Sequence, residues 1–216
     1  MKKIILAFVL FIVVTINASA QYKPFQFGLN ITPSINTTKI NCDNIDELKS
    51  KVSYNWGFKG NFYFVENYGF STGFNILNLR GNYAYNNMTN DTIVNTMTCD
   101  IRNQYIEIPI SMIMRTEKMG KARVIGNVGY GLGFCLNSNQ ELVDMEGVEI
   151  EPTNVFRTMR HSLIIKLGVE FNVYKSSCLT ANVVYNNNFT NIYKDNPLGH
   201  NISLNSLYIF LLQICL

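Results

Sequence analysis

Eight stretches of this chain alternate apolar and polar residues with a period of two, and that alternation limits its fold more than any other feature. They span residues 25–35, 54–64, 68–79, 104–115, 123–136, 162–174, 178–188 and 204–216. A period of two belongs to strands whose two faces meet different surroundings. Helical periodicity is weak and confined to 44–49, inside a connection. In the second stretch Tyr54, Trp56, Phe58, Phe62 and Phe64 share one face, with Asn55, Lys59 and Asn61 on the other. The fourth sets Ile106, Ile108, Ile110, Met112 and Met114 against Tyr105, Glu107, Ser111 and Arg115. The sixth sets Leu163, Ile165, Leu167, Val169, Phe171 and Val173 against Lys166, Gly168, Glu170 and Asn172. In the last, Tyr208, Phe210, Leu212, Ile214 and Leu216 lie on one side.

A soluble β-sandwich or a lipocalin-like barrel also alternates, so the decision rests on three further features. The stretches exceed the five or six residues usual for a strand and match the roughly 9–11 of a tilted membrane strand. Their apolar face is large and aromatic, while charges sit in mid-strand on the other face, which suits a small barrel with a polar interior and lipid outside. The connections also alternate in length: 65–67, 116–122 and 175–177 are short, whereas 36–53, 80–103, 137–161 and 187–203 are long. The expected fold is therefore all-β, an eight-stranded antiparallel up-and-down transmembrane β-barrel. Both termini fall on its short-turn, periplasmic side.

The first twenty residues read as an export signal: Met1-Lys2-Lys3, an apolar run over 4–16, then Ala18-Ser19-Ala20 ahead of Gln21. The run is too short for a spanning helix, and no later stretch reaches 18 apolar residues. The expected division is 1–20 signal peptide and 21–216 barrel domain. Without Lys2 and Lys3, 16 of the 18 basic residues remain against 15 acidic ones, and a near-neutral surface of this kind excludes nucleic acid as a partner. Charged residues are only 15% of the chain, below the roughly 25% of a soluble domain.

Tyr105-Ile106-Glu107-Ile108-Pro109, followed by the glycine-rich run from Arg123 through Gly126, Gly129, Gly131 and Gly133 to Phe134, resembles the PorT-like outer-membrane β-barrel family of Bacteroidetes. Phe27-Gly28-Leu29-Asn30 after Ala20-Gln21 is similar to the start of that family. The ending in Leu216, where such barrels often place an aromatic residue, departs from its pattern. The resemblance implies a bacterial outer-membrane location and a link to protein secretion, but no chemistry.

The residues themselves point to a plugged lumen. Glu107 is expected to pair with Lys59, Lys166 or Arg115, with Glu170 in the same inward set, because an unpaired charge inside a barrel is costly. Pro109 removes a ladder donor and is expected to bulge or weaken its pairing. Cys178 and Cys215 fall on adjacent strands in the same phase and form a candidate disulfide, while Cys42, Cys99 and Cys135 belong to the loop side. Thr92, within Asp91-Thr92-Ile93, resembles a Bacteroidetes O-glycosylation acceptor. The glycines of 126–133 precede no helix and do not form a dinucleotide fingerprint; they leave room for bulky lumen neighbours. His161 and Ser162 are adjacent on one strand and face opposite ways, so they do not form a lipid-hydrolase pair. No cofactor and no metal site is expected. The expected function is a non-enzymatic barrel in outer-membrane lipid, acting through its long loops on other envelope or secretion-system proteins. The alternatives are a narrow passive channel and, last, a lipid-A-modifying enzyme.

Overall fold

The computed structural model describes residues 24–40, 45–47, 50–89, 92–143, 149–150, 157–174, 177–192 and 202–215. Eight long strands carry the architecture: β1 (Phe25–Ile40), β2 (Lys51–Val65), β3 (Tyr68–Thr89), β4 (Thr92–Arg115), β5 (Ala122–Val143), β6 (Met159–Tyr174), β7 (Ser177–Asn188) and β8 (Ile202–Cys215). Each pairs antiparallel with its chain neighbour, and β8 returns to pair with β1, closing the sheet on itself. Closure leaves no unpaired edge, the condition for strands to cross hydrocarbon. Following paired residues around the wall from Gln26 brings the path back to Asn36. A stagger of that size tilts the strands by roughly 35–45° to the barrel axis.

The alternation decides which side of the wall each residue takes. Phe25, Phe27, Leu29 and Ile31 of β1 are exposed, whereas Gln26, Asn30, Thr32 and Ser34 are buried. Likewise Ile108, Ile110 and Met112 face out while Glu107 and Ser111 face in. Polar inside and apolar outside inverts the arrangement of a soluble protein. Aromatic rings strengthen the outer face at cross-strand contacts, with Phe58–Phe74 centroids 4.8 Å apart and Phe64–Phe70 5.5 Å apart.

Three expectations are corrected. First, much of 80–103 is not a loop. β3 and β4 run on as a paired ladder to Thr89 and Thr92, and β5 likewise extends to Val143. Beyond the apolar belt a ladder still satisfies its backbone, but nothing requires alternating side chains there, so the sequence signal fades before the strand ends. Second, residues 45–47, read as weakly helical, form a short strand against Tyr83–Tyr85. Third, the one-sided alternation of 204–216 is broken. A register shift between Phe210 and Gln213 sets Tyr208 opposite buried Ser34 but Ile214 opposite exposed Leu29. Of the two outcomes expected at Pro109, the weakened pairing is observed and the bulge is not: pairing between β3 and β4 skips Gly73 and Phe74 across from Pro109 and Ile108, with the register unchanged on either side. The expected signal, 1–20, lies outside the described residues.

Candidate functional site

Among the described residues, two buried ion pairs stand in the lumen, one toward each rim. At the long-connection end, Glu107 accepts from Arg160 Nη1 at 2.8 Å, from Ser162 Oγ at 3.0 Å and from Asn186 Nδ2 at 3.1 Å. Arg160 Nη2 in turn donates to Asn186 Oδ1 at 2.8 Å. Side chains of three strands, β4, β6 and β7, thus converge on one carboxylate that is 1% exposed. Register explains the partnership. Glu107 pairs with Gly133, and Gly133 pairs with Arg160, so a glycine between them leaves the arginine an open path to the carboxylate. Gly131 serves the same carboxylate: a Cβ there would come within 2.8 Å of Glu107 Oε2 and 2.9 Å of its Cδ.

At the short-turn end, Arg123 pairs with Glu170 directly across the β5–β6 ladder, and its Nε donates to Oε1 at 2.6 Å. Nearby, Arg115 lies over the Tyr63 ring at 3.6 Å and donates through Nε to the Glu66 carbonyl at 2.6 Å. Tyr63, Ile113 and Ile125 form an apolar floor beside it. Between the two ends lies a cavity of about 50 Å³, reached by Lys59, Lys166, Glu107 and Pro109. That volume holds a few waters at most, and orphaned amide atoms of Asn127 and Asn182 in the lumen suit such waters.

These contacts revise the expected charge assignments. All five expected residues, Lys59, Glu107, Arg115, Lys166 and Glu170, lie on the lumen phase. Among the described residues Glu107 forms an ion pair with Arg160 and Glu170 forms one with Arg123, neither of them an expected pairing. Arg160 was missed because it stands two residues before the expected start of the sixth strand. Its phase matches Ser162 and Ile164, which is the signal that finds it. Ser162 belongs to this lumen cluster, whereas the His161 ring meets the Tyr130 hydroxyl on the outer side. Cys178 lies opposite Cys215 in the β7–β8 register, and the Cys215 side chain is outside the described residues. Cys99 and Cys135 sit in the long-connection halves of β4 and β5, and Cys42 is outside the described residues. Thr92 opens β4, and its side chain is likewise outside them. Among the described residues no cluster of His, Cys, Asp and Glu is placed to hold a metal.

A closed eight-stranded wall, greasy outside and polar inside, agrees with the comparison to known proteins. A sequence profile described as "Outer membrane protein beta-barrel domain" matches residues 17–194. The chain belongs to that family. No curated protein matches this member. Among solved structures it is similar to Neisserial surface protein A, with 10% identity, 90% of this chain and 97% of that one covered, and a TM-score of 0.52. OprG of Pseudomonas aeruginosa (10% identity, 90% and 97% covered, TM-score 0.49) and Ail of Yersinia pestis (13% identity, 90% and 100% covered, TM-score 0.44) also align. This outer membrane beta-barrel protein therefore resides in the bacterial outer membrane, with its apolar face in lipid.

Proposed function

We propose that this barrel is a non-enzymatic structural and interaction protein of the PorT-like Bacteroidetes group. Its interior is sealed by its own side chains, and its long connections face the cell exterior to meet envelope proteins in the setting of protein secretion. The observation carrying this reading is the occlusion of the lumen: Glu107, Arg160, Ser162 and Asn186 bridge it, and the cavity beside them is about 50 Å³. Eight strands give an interior just wide enough for side chains to fill. A sealed wall leaves the connections as the surface that differs from one such scaffold to another. Purified protein inserted in planar lipid bilayers is expected to show no conductance steps. Regular ohmic steps would overturn the sealed-lumen reading in favour of a passive channel.

The same reading includes the Cys178–Cys215 disulfide, supported by their direct opposition near the short-turn rim. Counting reactive thiols in denatured protein, before and after reduction, is expected to reveal two more after reduction. An unchanged count would refute the bond.

A further inference from the structure

The lumen carries more positive than negative charge. Among the described residues on its inner face, from the Arg123–Glu170 pair up to the Glu107–Arg160 pair, five cations (Lys59, Arg115, Arg123, Arg160 and Lys166) stand against two carboxylates, an excess of three. The excess is a sum, so the contacts that Lys59 and Lys166 make within the protein leave it unchanged. Excess charge of one sign is costly inside a closed wall surrounded by hydrocarbon.

The cavity of about 50 Å³ between the two pairs is lined by both lysines. It is also lined by Thr32, Asn55 and Asn127, each no more than 3% exposed. Thr32 and Asn55 are cross-strand partners on β1 and β2, and Asn127 stands across from Lys166 on β5 and β6, so these groups come from opposite walls. The Asn55 oxygen accepts from the Asn78 backbone N–H at 2.8 Å, which leaves its Nδ2 as an orphaned donor. The Thr32 hydroxyl and both Asn127 amide atoms are orphaned as well. Buried donors without an acceptor cost free energy that an anion recovers by accepting from several at once. Glu107, the carboxylate on the cavity wall, is paired with Arg160 and further engaged by Ser162 and Asn186. A space of this size suits a monatomic anion with a water or two and excludes a lipid headgroup or a sugar. Asn127 Oδ1, an acceptor, suits the accompanying water.

We infer that this cavity binds a halide, chloride in ordinary salt, as a structural counter-ion of the barrel. The inference rests on the sealed lumen, which bilayer recording tests on its own, so the two can fail separately. Wild-type protein is folded in detergent while chloride or bromide is exchanged for gluconate at constant ionic strength, and equilibrium urea unfolding is followed by the unboiled band. Gluconate is too large for the cavity, and constant ionic strength removes general screening as a cause. Above the dissociation constant, each tenfold rise in halide is expected to multiply the folding equilibrium constant by about ten, the response of a single site. Lys59→Met/Lys166→Met leaves both ion pairs in place and is expected to abolish that response. Thr32→Val, which removes only a hydroxyl, is expected to weaken halide affinity by about tenfold. Crystals of protein folded in bromide should show its anomalous scattering inside the cavity. Equal unfolding in chloride and gluconate, a halide response that survives in the lysine double variant, unchanged affinity in Thr32→Val, or water alone in the cavity overturns the site.

Discussion

Glu107→Ala is expected to lower the stability of the folded barrel by about 3–5 kcal/mol, since removing one partner of a buried ion pair strands the other. The stranded group is Arg160, 2% exposed, which would keep only Asn186 as a described side-chain partner. Ser162 and the Asn186 amide would lose their shared acceptor as well. Water cannot easily replace them, because the neighbouring cavity holds only a few molecules. The urea midpoint at which the folded, unboiled band disappears from a gel measures the loss. A shift no larger than that of an exposed control such as Lys118→Ala would mean that the cluster is not what closes this end of the barrel.

Gly131→Ala is the second large effect, at about 3 kcal/mol. A methyl group there meets Ser162 Oγ and the Glu107 carboxylate inside normal contact distance. Overpacking costs roughly 1–3 kcal/mol, and pushing the carboxylate off its charged partner adds about 1.5–3. Gly126, on the same strand, is the internal control. A Cβ there would meet only the Lys166 carbonyl at 4.0 Å, so Gly126→Ala is expected to stay within about 0.5 kcal/mol of wild type. Equal urea midpoints for the two variants would show that the glycines serve strand flexibility in general rather than space for Glu107.

The contrast between those two glycines shows how far the sequence could be read. Strand number, inward and outward faces and barrel closure were legible because lipid outside and a polar lumen inside impose alternation on every belt residue, as at Ile108, Ile110 and Met112 against Glu107 and Ser111. The partner of Glu107 was not. Pairing across a tilted wall depends on stagger, and stagger is set by register rather than by pattern. The two-strand reach from Glu107 over Gly133 to Arg160 becomes visible only once that register is known. The strand extensions were hidden for the opposite reason. Above the belt, at Arg80–Arg102 and outward to Thr89–Thr92, the ladder persists without an apolar face to announce it. A bulge such as the one between Phe210 and Gln213 likewise leaves no mark in an all-apolar run.

The claim that a buried Glu107–Arg160 pair closes the lumen is tested most directly by a double-mutant cycle on those two residues, read as urea midpoints of the folded barrel in lipid. The account predicts that Glu107→Ala and Arg160→Ala are each strongly destabilising. Together they should cost less than their sum, by about 1–3 kcal/mol, since the double variant leaves neither charge stranded. Strictly additive losses would contradict it, because they would mean that the two side chains act on stability independently.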